Sequence, residues 1–106
     1  MTVKPVVYNG DELFSAKMKY EPSGKNIIHG LTFSWDNTYR HGARGYIITS
    51  VSKNKLFDYL DAISDEKYLF INAWNEWCEG MILEPTEKNG LKYLEWLKEW
   101  TLKNDK

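Results

Sequence analysis

A chain of 106 residues with 14 lysines and arginines against 15 aspartates and glutamates has room for one domain, and its net charge of −1 excludes a basic nucleic-acid-binding surface. A lone cysteine, Cys78, excludes an internal disulfide and argues against a disulfide-stapled secreted module. No apolar stretch reaches membrane-span length, and the opening MTVKPVVYNG lacks the apolar region of a signal peptide, so a soluble chain in the reducing cytoplasm is expected.

In chain order, Leu13, Phe14 and Met18 predict one or two turns of helix from Asp11 to about Met18, closed by Pro22-Ser23-Gly24. Ile27 to Phe33 is a short apolar run of strand length, rich in β-branched and aromatic residues. Ser34 to Arg44 reads as a long polar loop, and Tyr46 to Val51 as a second short strand. Ser52 is placed to cap a helix over about residues 53–64, where Leu56, Phe57, Leu60 and Ile63 recur at helical spacing.

The run Tyr68 to Ala73 does not alternate with polar residues, which predicts a strand covered on both faces in a parallel sheet. A loop over 75–88 follows, then a helix from about Gly90 to Lys103 with Asn89 as a candidate cap. Tyr93, Leu94, Trp96, Leu97 and Trp100 share one arc of that helix, and Lys92, Glu95, Lys98, Glu99 and Lys103 take the other. The order of elements is the βαβα pattern of an α/β protein with parallel strands and covering helices. Two such units are a piece of a sheet, since a complete (β/α)8 barrel takes about 250 residues.

The segment NAWNEWCEGMILEP, residues 72–85, concentrates the chemistry. Glu76 and Glu79 are a carboxylate pair at a strand terminus, which glycosidic-bond chemistry requires: one group protonates the leaving oxygen while the other acts as nucleophile or base. Trp74 and Trp77 offer apolar faces for stacking on sugar rings, and Asn75 can hydrogen-bond a sugar hydroxyl. Glu84, held by Pro85, can contact substrate. The plainer alternative is a loop of solvated acids whose tryptophans pack as core.

A second group, Trp35-Asp36-Asn37-Thr38-Tyr39-Arg40-His41, also follows a strand, so a parallel sheet would place it on the same rim. Asp36, Asn37 and Arg40 suit sugar hydroxyls, and Arg40 suits an anionic group. The alternative is an Asx-type turn in which Asp36 caps backbone amides. His29, inside an apolar strand, reads as a satisfied core histidine. His41 has no second His or Cys at metal-ligand spacing, so neither metal nor cofactor is expected. Cys78 has no evident base beside it, and Gly42 and Gly45 lack the frame of a phosphate loop.

Together NAWNEWCEGMILEP, the Tyr93-Leu94-Glu95 helix and WDNTYR with Arg44-Gly45 closely resemble the end of the WbsX-like glycosyltransferase family, over roughly residues 8–97. That family groups with glycoside hydrolase family 99, the endo-α-mannosidase type. The resemblance implies a (β/α)8 barrel of which this chain is the last third, with Ile27–Phe33 and Tyr68–Ala73 as the seventh and eighth strands. It also implies roles. Glu76 acts as a base on the substrate's own 2-hydroxyl, giving an anhydro-sugar intermediate, and Glu79 is general acid and then base.

The hydrolases have histidine where Cys78 stands and WbsX-like members often have alanine, which pulls the resemblance toward the WbsX-like branch and bacterial surface polysaccharide, while Tyr39 stands where those members usually have proline. A barrel fragment leaves an open sheet edge and uncovered apolar faces. The 106-residue chain by itself is therefore expected to have negligible activity, and to self-associate or complete its barrel with an N-terminal portion. A non-catalytic carbohydrate-binding remnant, with Trp35, Trp74 and Trp77 stacking on sugars, is the other reading.

Overall fold

A computed structural model describes residues 3–104. Strand β1 (Val6–Tyr8) leads into helix α1 (Gly10–Tyr20). The Asn9 side chain accepts hydrogen bonds from the amides of Asp11 (2.8 Å) and Glu12 (3.1 Å), satisfying donors that a helix start leaves orphaned. Asp11 and Glu12 in the first turn and Lys17 and Lys19 in the last complement the helix dipole, so α1 runs for eleven residues, longer than its weak apolar pattern predicts. Gly10 makes close approach possible: a Cβ there would collide with the Thr49 carbonyl oxygen and lie 3.0 Å from Ser50 C and Val51 N.

Next come β2 (Gly30–Leu31), β3 (Trp35–Asp36), the short α2 (Thr38–His41), a 3-10 turn (Gly42–Arg44) and β4 (Tyr46–Ile48). Helix α3 (Lys53–Ala62) starts on Ser52, whose side chain accepts from the Lys55 amide at 3.2 Å as its sequence position predicts. Then follow β5 (Phe70–Ile71), β6 (Asn75–Glu76), a 3-10 turn (Trp77–Glu79), β7 (Met81–Ile82) and α4 (Lys92–Asn104).

Strands β2 and β5 pair in parallel, Gly30 with Phe70 and Leu31 with Ile71, and α3 lies in the connection between them. This is the βαβ relation expected of Ile27–Phe33 and Tyr68–Ala73. The paired cores are only two residues long, extended by bonds from Phe70 N to the His29 carbonyl and from Asn72 N to the Leu31 carbonyl. The protein is mixed α/β, with short parallel strand pairs and helices.

One core joins the layers: Phe14, Leu31, Phe33, Val51, Leu56, Tyr59, Leu60, Leu83 and Tyr93 form a single buried cluster. Phe14 of α1 meets Tyr59 of α3 edge-on at 5.1 Å, and Phe33 stacks on Tyr93 of α4 at 4.6 Å. Leu94, Trp96, Leu97 and Trp100 of α4 pack against this cluster, as their common arc predicts, and Trp100 Nε1 donates to Asp61 Oδ1 at 2.8 Å.

Four expectations are corrected. Residues 34–44 are not a structureless loop, because β3 pairs antiparallel with β4 and the segment between them winds into α2 and a 3-10 turn. Tyr46–Val51 is consequently not a neighbour in the β2–β5 sheet. Its paired part, β4, lies between β1 (parallel) and β3 (antiparallel), giving a mixed sheet where a purely parallel one was expected. The 75–88 loop contains the β6–β7 hairpin, and α4 begins at Lys92 while Asn89 sits inside the preceding Thr86–Gly90 turn. Lastly, Tyr68–Ala73 is not covered on both faces: Tyr68 is 68% and Phe70 61% exposed. An apolar run records a need for burial, and these residues supply no partner for it.

His29 is 7% exposed and lies between two carboxylates. Its Nδ1 is 2.5 Å from Glu66 Oε2 without the alignment of a hydrogen bond, and its Nε2 is 3.7 Å from Glu21 Oε1. Glu21 also accepts from the Tyr59 hydroxyl at 2.6 Å and pairs with Lys17 Nζ at 2.8 Å. Burial pushes the Glu21 carboxyl up, but hydrogen bonds from Lys17 and Tyr59, with the charges of Lys17 and His29, together hold it below its ordinary 4.5. Burial and the Glu21 hydrogen bond push the Tyr59 hydroxyl up.

The folded chain thus keeps Glu21 ionised where the unfolded chain takes up a proton. Its stabilisation is present above about pH 4.5 and is lost as the pH falls through the depressed value. Thermal melts below pH 4.5 should show a falling midpoint, and Glu21→Gln should flatten that slope while lowering the midpoint near neutrality.

Candidate functional site

The two sequence motifs meet at one end of the β2–β5 pair. Residues 32–36 continue from the C-terminal end of β2 and residues 72–76 from that of β5, so both lie on the rim the parallel pairing predicts. Helix α2 and strand β3 pack against the 3-10 turn Trp77–Glu79. In open α/β sheets ligands bind outside the carboxyl ends of the strands, the side on which these motifs sit.

The hairpin β6–β7 presents the carboxylates. Asn75 pairs with Ile82 and Glu76 with Met81, and the Trp74 carbonyl accepts from the amides of Leu83 (2.9 Å) and Glu84 (3.0 Å). Half-buried Glu84 therefore belongs to the same hairpin as the glutamate pair. Glu76 is half-buried, and its Oε1 accepts from the Cys78 amide at 3.2 Å, capping the 3-10 turn. Glu79 closes that turn. Among the described residues no side-chain hydrogen bond or ion pair engages its carboxylate. Gly80 then takes the left-handed conformation, φ +57°, that ends the turn and starts β7.

The tryptophans do not pack as core. Trp74 is 53% and Trp77 56% exposed, while Trp35 in β3 is half-buried. Aromatic faces beside a carboxylate pair, open to solvent, can stack on the apolar faces of sugar rings. Arg40 and Cys78 are also exposed. The site is an open surface. A concavity of about 930 Å³ lies elsewhere, around Lys17, Glu21, His29, Tyr59, Glu66 and Tyr68, beside residues that precede the strands rather than follow them.

Asp36 and Asn37 each commit one side-chain oxygen, Oδ1, internally. Asp36 Oδ1 accepts from Thr38 N (2.9 Å) and Thr38 Oγ1 (2.5 Å), the Asx-type capping that its sequence context allows. Asn37 Oδ1 accepts from the Tyr46 amide at 2.6 Å, tying the start of α2 to β4. The reading by residue type overlooked Thr38 and Gly80. The Asp-Asn-Thr order two residues before a turn, and a glycine immediately after Glu79, were the available signals.

The family described as Glycosyltransferase WbsX matches residues 1–97. The chain belongs to that family. Two proteins from Xanthomonas campestris pv. campestris, in strains B100 and ATCC 33913, each described as "Uncharacterized protein WxcX", are 36% identical to it over 78 residues. Those alignments cover 65% of this chain and 11% of each relative, so the WbsX-family segment here spans a small part of their length. No solved structure matches the chain. Membership in the WbsX family supports a carbohydrate-related role, in keeping with a rim that carries carboxylates and exposed tryptophans. No described helix is long and apolar enough to cross a membrane, and no three His, Cys, Asp or Glu side chains among the described residues gather to hold a metal ion.

Proposed function

We propose that this chain forms the last βα units of a (β/α)8 barrel that acts on glycosidic bonds of a bacterial surface polysaccharide, with Glu76 and Glu79 as its working pair. Glu76 removes the proton of the substrate's own 2-hydroxyl, whose oxygen attacks the anomeric carbon. Glu79 protonates the departing glycosidic oxygen and then takes a proton from the incoming water or acceptor hydroxyl, whose oxygen attacks the anomeric carbon and breaks its bond to the 2-oxygen as Glu76 returns the proton there. Trp35, Trp74 and Trp77 stack on sugar rings. Asn75 and Glu84 accept or donate to hydroxyls, and Arg40 takes an anionic sugar or phosphate group. The glycan is the partner, and the groups named here require no cofactor.

The observation that carries this reading is the convergence of two motifs, forty residues apart in the chain, on one rim, with Glu76 capping and Glu79 closing a turn that packs against β3 and α2. Turnover against glycan affinity in Glu76→Gln and Glu79→Gln proteins tests it. Lost turnover with retained affinity supports catalysis, and unchanged turnover overturns it. A natural protein that never turns over but binds glycan through its tryptophans would instead be the carbohydrate-binding remnant.

The barrel part of the proposal is supported by exposed apolar residues on both parallel strand pairs, among them Phe70 on β5 and Val6 and Val7 on β1. Such surface in one small domain calls for covering. Addition of an N-terminal barrel portion should raise the melting temperature of the chain with increasing concentration, as ligand linkage requires. A melting temperature independent of both that portion and chain concentration would contradict it.

A further inference from the structure

Asp36 and Gly80 belong to different motifs and touch. A Cβ on Gly80 would lie 2.9 Å from Asp36 Cβ, 3.0 Å from its carbonyl oxygen and 3.1 Å from its amide nitrogen, so the main chain of the glutamate turn is seated directly on Asp36. At φ +57° the position is also one that side chains with a Cβ seldom adopt. Ser34 Oγ donates to the Gly80 carbonyl oxygen at 3.4 Å on the same contact. On its other side Asp36 holds Thr38 by two hydrogen bonds and thereby fixes the first residue of α2, which packs against Trp77–Glu79.

We propose that Asp36 and Gly80 form a clasp that positions Glu79 for proton transfer, so that Asp36 acts as a positioning residue through its cap on α2 rather than by contacting sugar. This rests on the reading that Glu76 and Glu79 act on a glycosidic bond. Gly80 follows Glu79 directly, and its amide bonds to the Trp77 carbonyl at 3.2 Å, so any shift of the clasp moves the backbone that carries the second carboxylate. Acid and base groups must sit within hydrogen-bond reach of the proton they move, so a displacement near 1 Å costs roughly 100-fold in rate.

Asparagine at position 36 keeps an accepting Oδ1, loses the charge and exchanges the other oxygen for an NH2 group. This separates capping from substrate contact. In the natural protein Asp36→Ala and Gly80→Ala should lower kcat roughly 100-fold with KM changed less than about threefold, and Asp36→Asn should restore most of the rate. Hydrogen exchange at the Gly80 amide should quicken in Asp36→Ala and return toward the parent rate in Asp36→Asn. That arm needs no turnover, so it stands or falls apart from the chemistry assigned to the glutamates.

Equal loss in Asp36→Asn and Asp36→Ala would show that the charge or the second carboxylate oxygen is used, and would overturn the clasp, as would unchanged Gly80 exchange in Asp36→Ala. If Gly80→Ala does not fold, the two Asp36 variants decide alone. Unchanged turnover in Glu76→Gln and Glu79→Gln would remove the proton transfer and with it the role proposed for the clasp, while the exchange result still reports whether Asp36 holds the turn.

Discussion

Glu79→Gln, at the proposed general acid, is expected to lower turnover of a glycan with an ordinary sugar leaving group by about 100- to 10,000-fold, because glutamine cannot protonate the departing oxygen. The loss should shrink sharply on a substrate whose leaving group departs as a stable anion and needs no proton. Glu76→Gln should lose a similar factor and regain nothing with that substrate, since the 2-hydroxyl still has to be deprotonated. The contrast assigns the two roles. Affinity should change little in either variant, because amide and carboxyl are nearly isosteric and removing a transition-state contact lowers kcat and kcat/KM together. The structure gives the two residues different surroundings: Glu76 is tied to the Cys78 amide, and Glu79 carries no side-chain hydrogen bond among the described residues. Turnover that falls equally with both substrates in both variants would deny the separate roles.

Leu56→Ala is expected to destabilise the fold by about 2–5 kcal/mol, the lost transfer energy of the side chain plus the cavity left behind. Leu56 is fully buried on α3, in the cluster that joins α1, α3, β2 and α4. A domain of this size holds only about 5–15 kcal/mol in all, so the variant should be largely unfolded at moderate temperature or melt tens of degrees lower. The effect reaches the site because α3 connects β2 to β5, whose pairing brings the two motifs to one rim. Leu102→Ala, on an exposed part of α4, should shift stability by only about 0.5 kcal/mol or less. Equal melting of the two variants by circular dichroism would contradict the placement of the core.

Much of the scaffold was legible. Ser52 caps α3 as its residue type and position announce, because capping joins groups three residues apart and needs no distant partner. The Tyr93–Trp100 arc of α4 faces the core because helical periodicity is itself a record of which side is buried. The motif segments were also readable, and the WbsX family match extends over the stretch that holds both. Residues 34–44 were not. Their β3–β4 pairing depends on the Asn37 side chain reaching the Tyr46 amide nine residues on, and on β1 supplying the other edge of β4. Polar composition cannot distinguish such a hairpin from a loop.

The covalent order alone determined the residue types at the site: two carboxylates three positions apart, tryptophans beside them and a second polar segment after an earlier strand. Those are properties of short stretches, where spacing and chemistry are local. Only the tertiary structure decided that Gly80 rests on Asp36, that Asp36 and Asn37 accept bonds from within the chain, and that Tyr68 and Phe70 stand uncovered. Each of these depends on which distant surfaces meet. A hydrophobic or hydrogen-bonding residue states what it requires, and packing alone determines what fulfils it. The glutamate pair was therefore visible from the start, while the contact that sets its backbone became visible only when two strands forty residues apart were laid side by side.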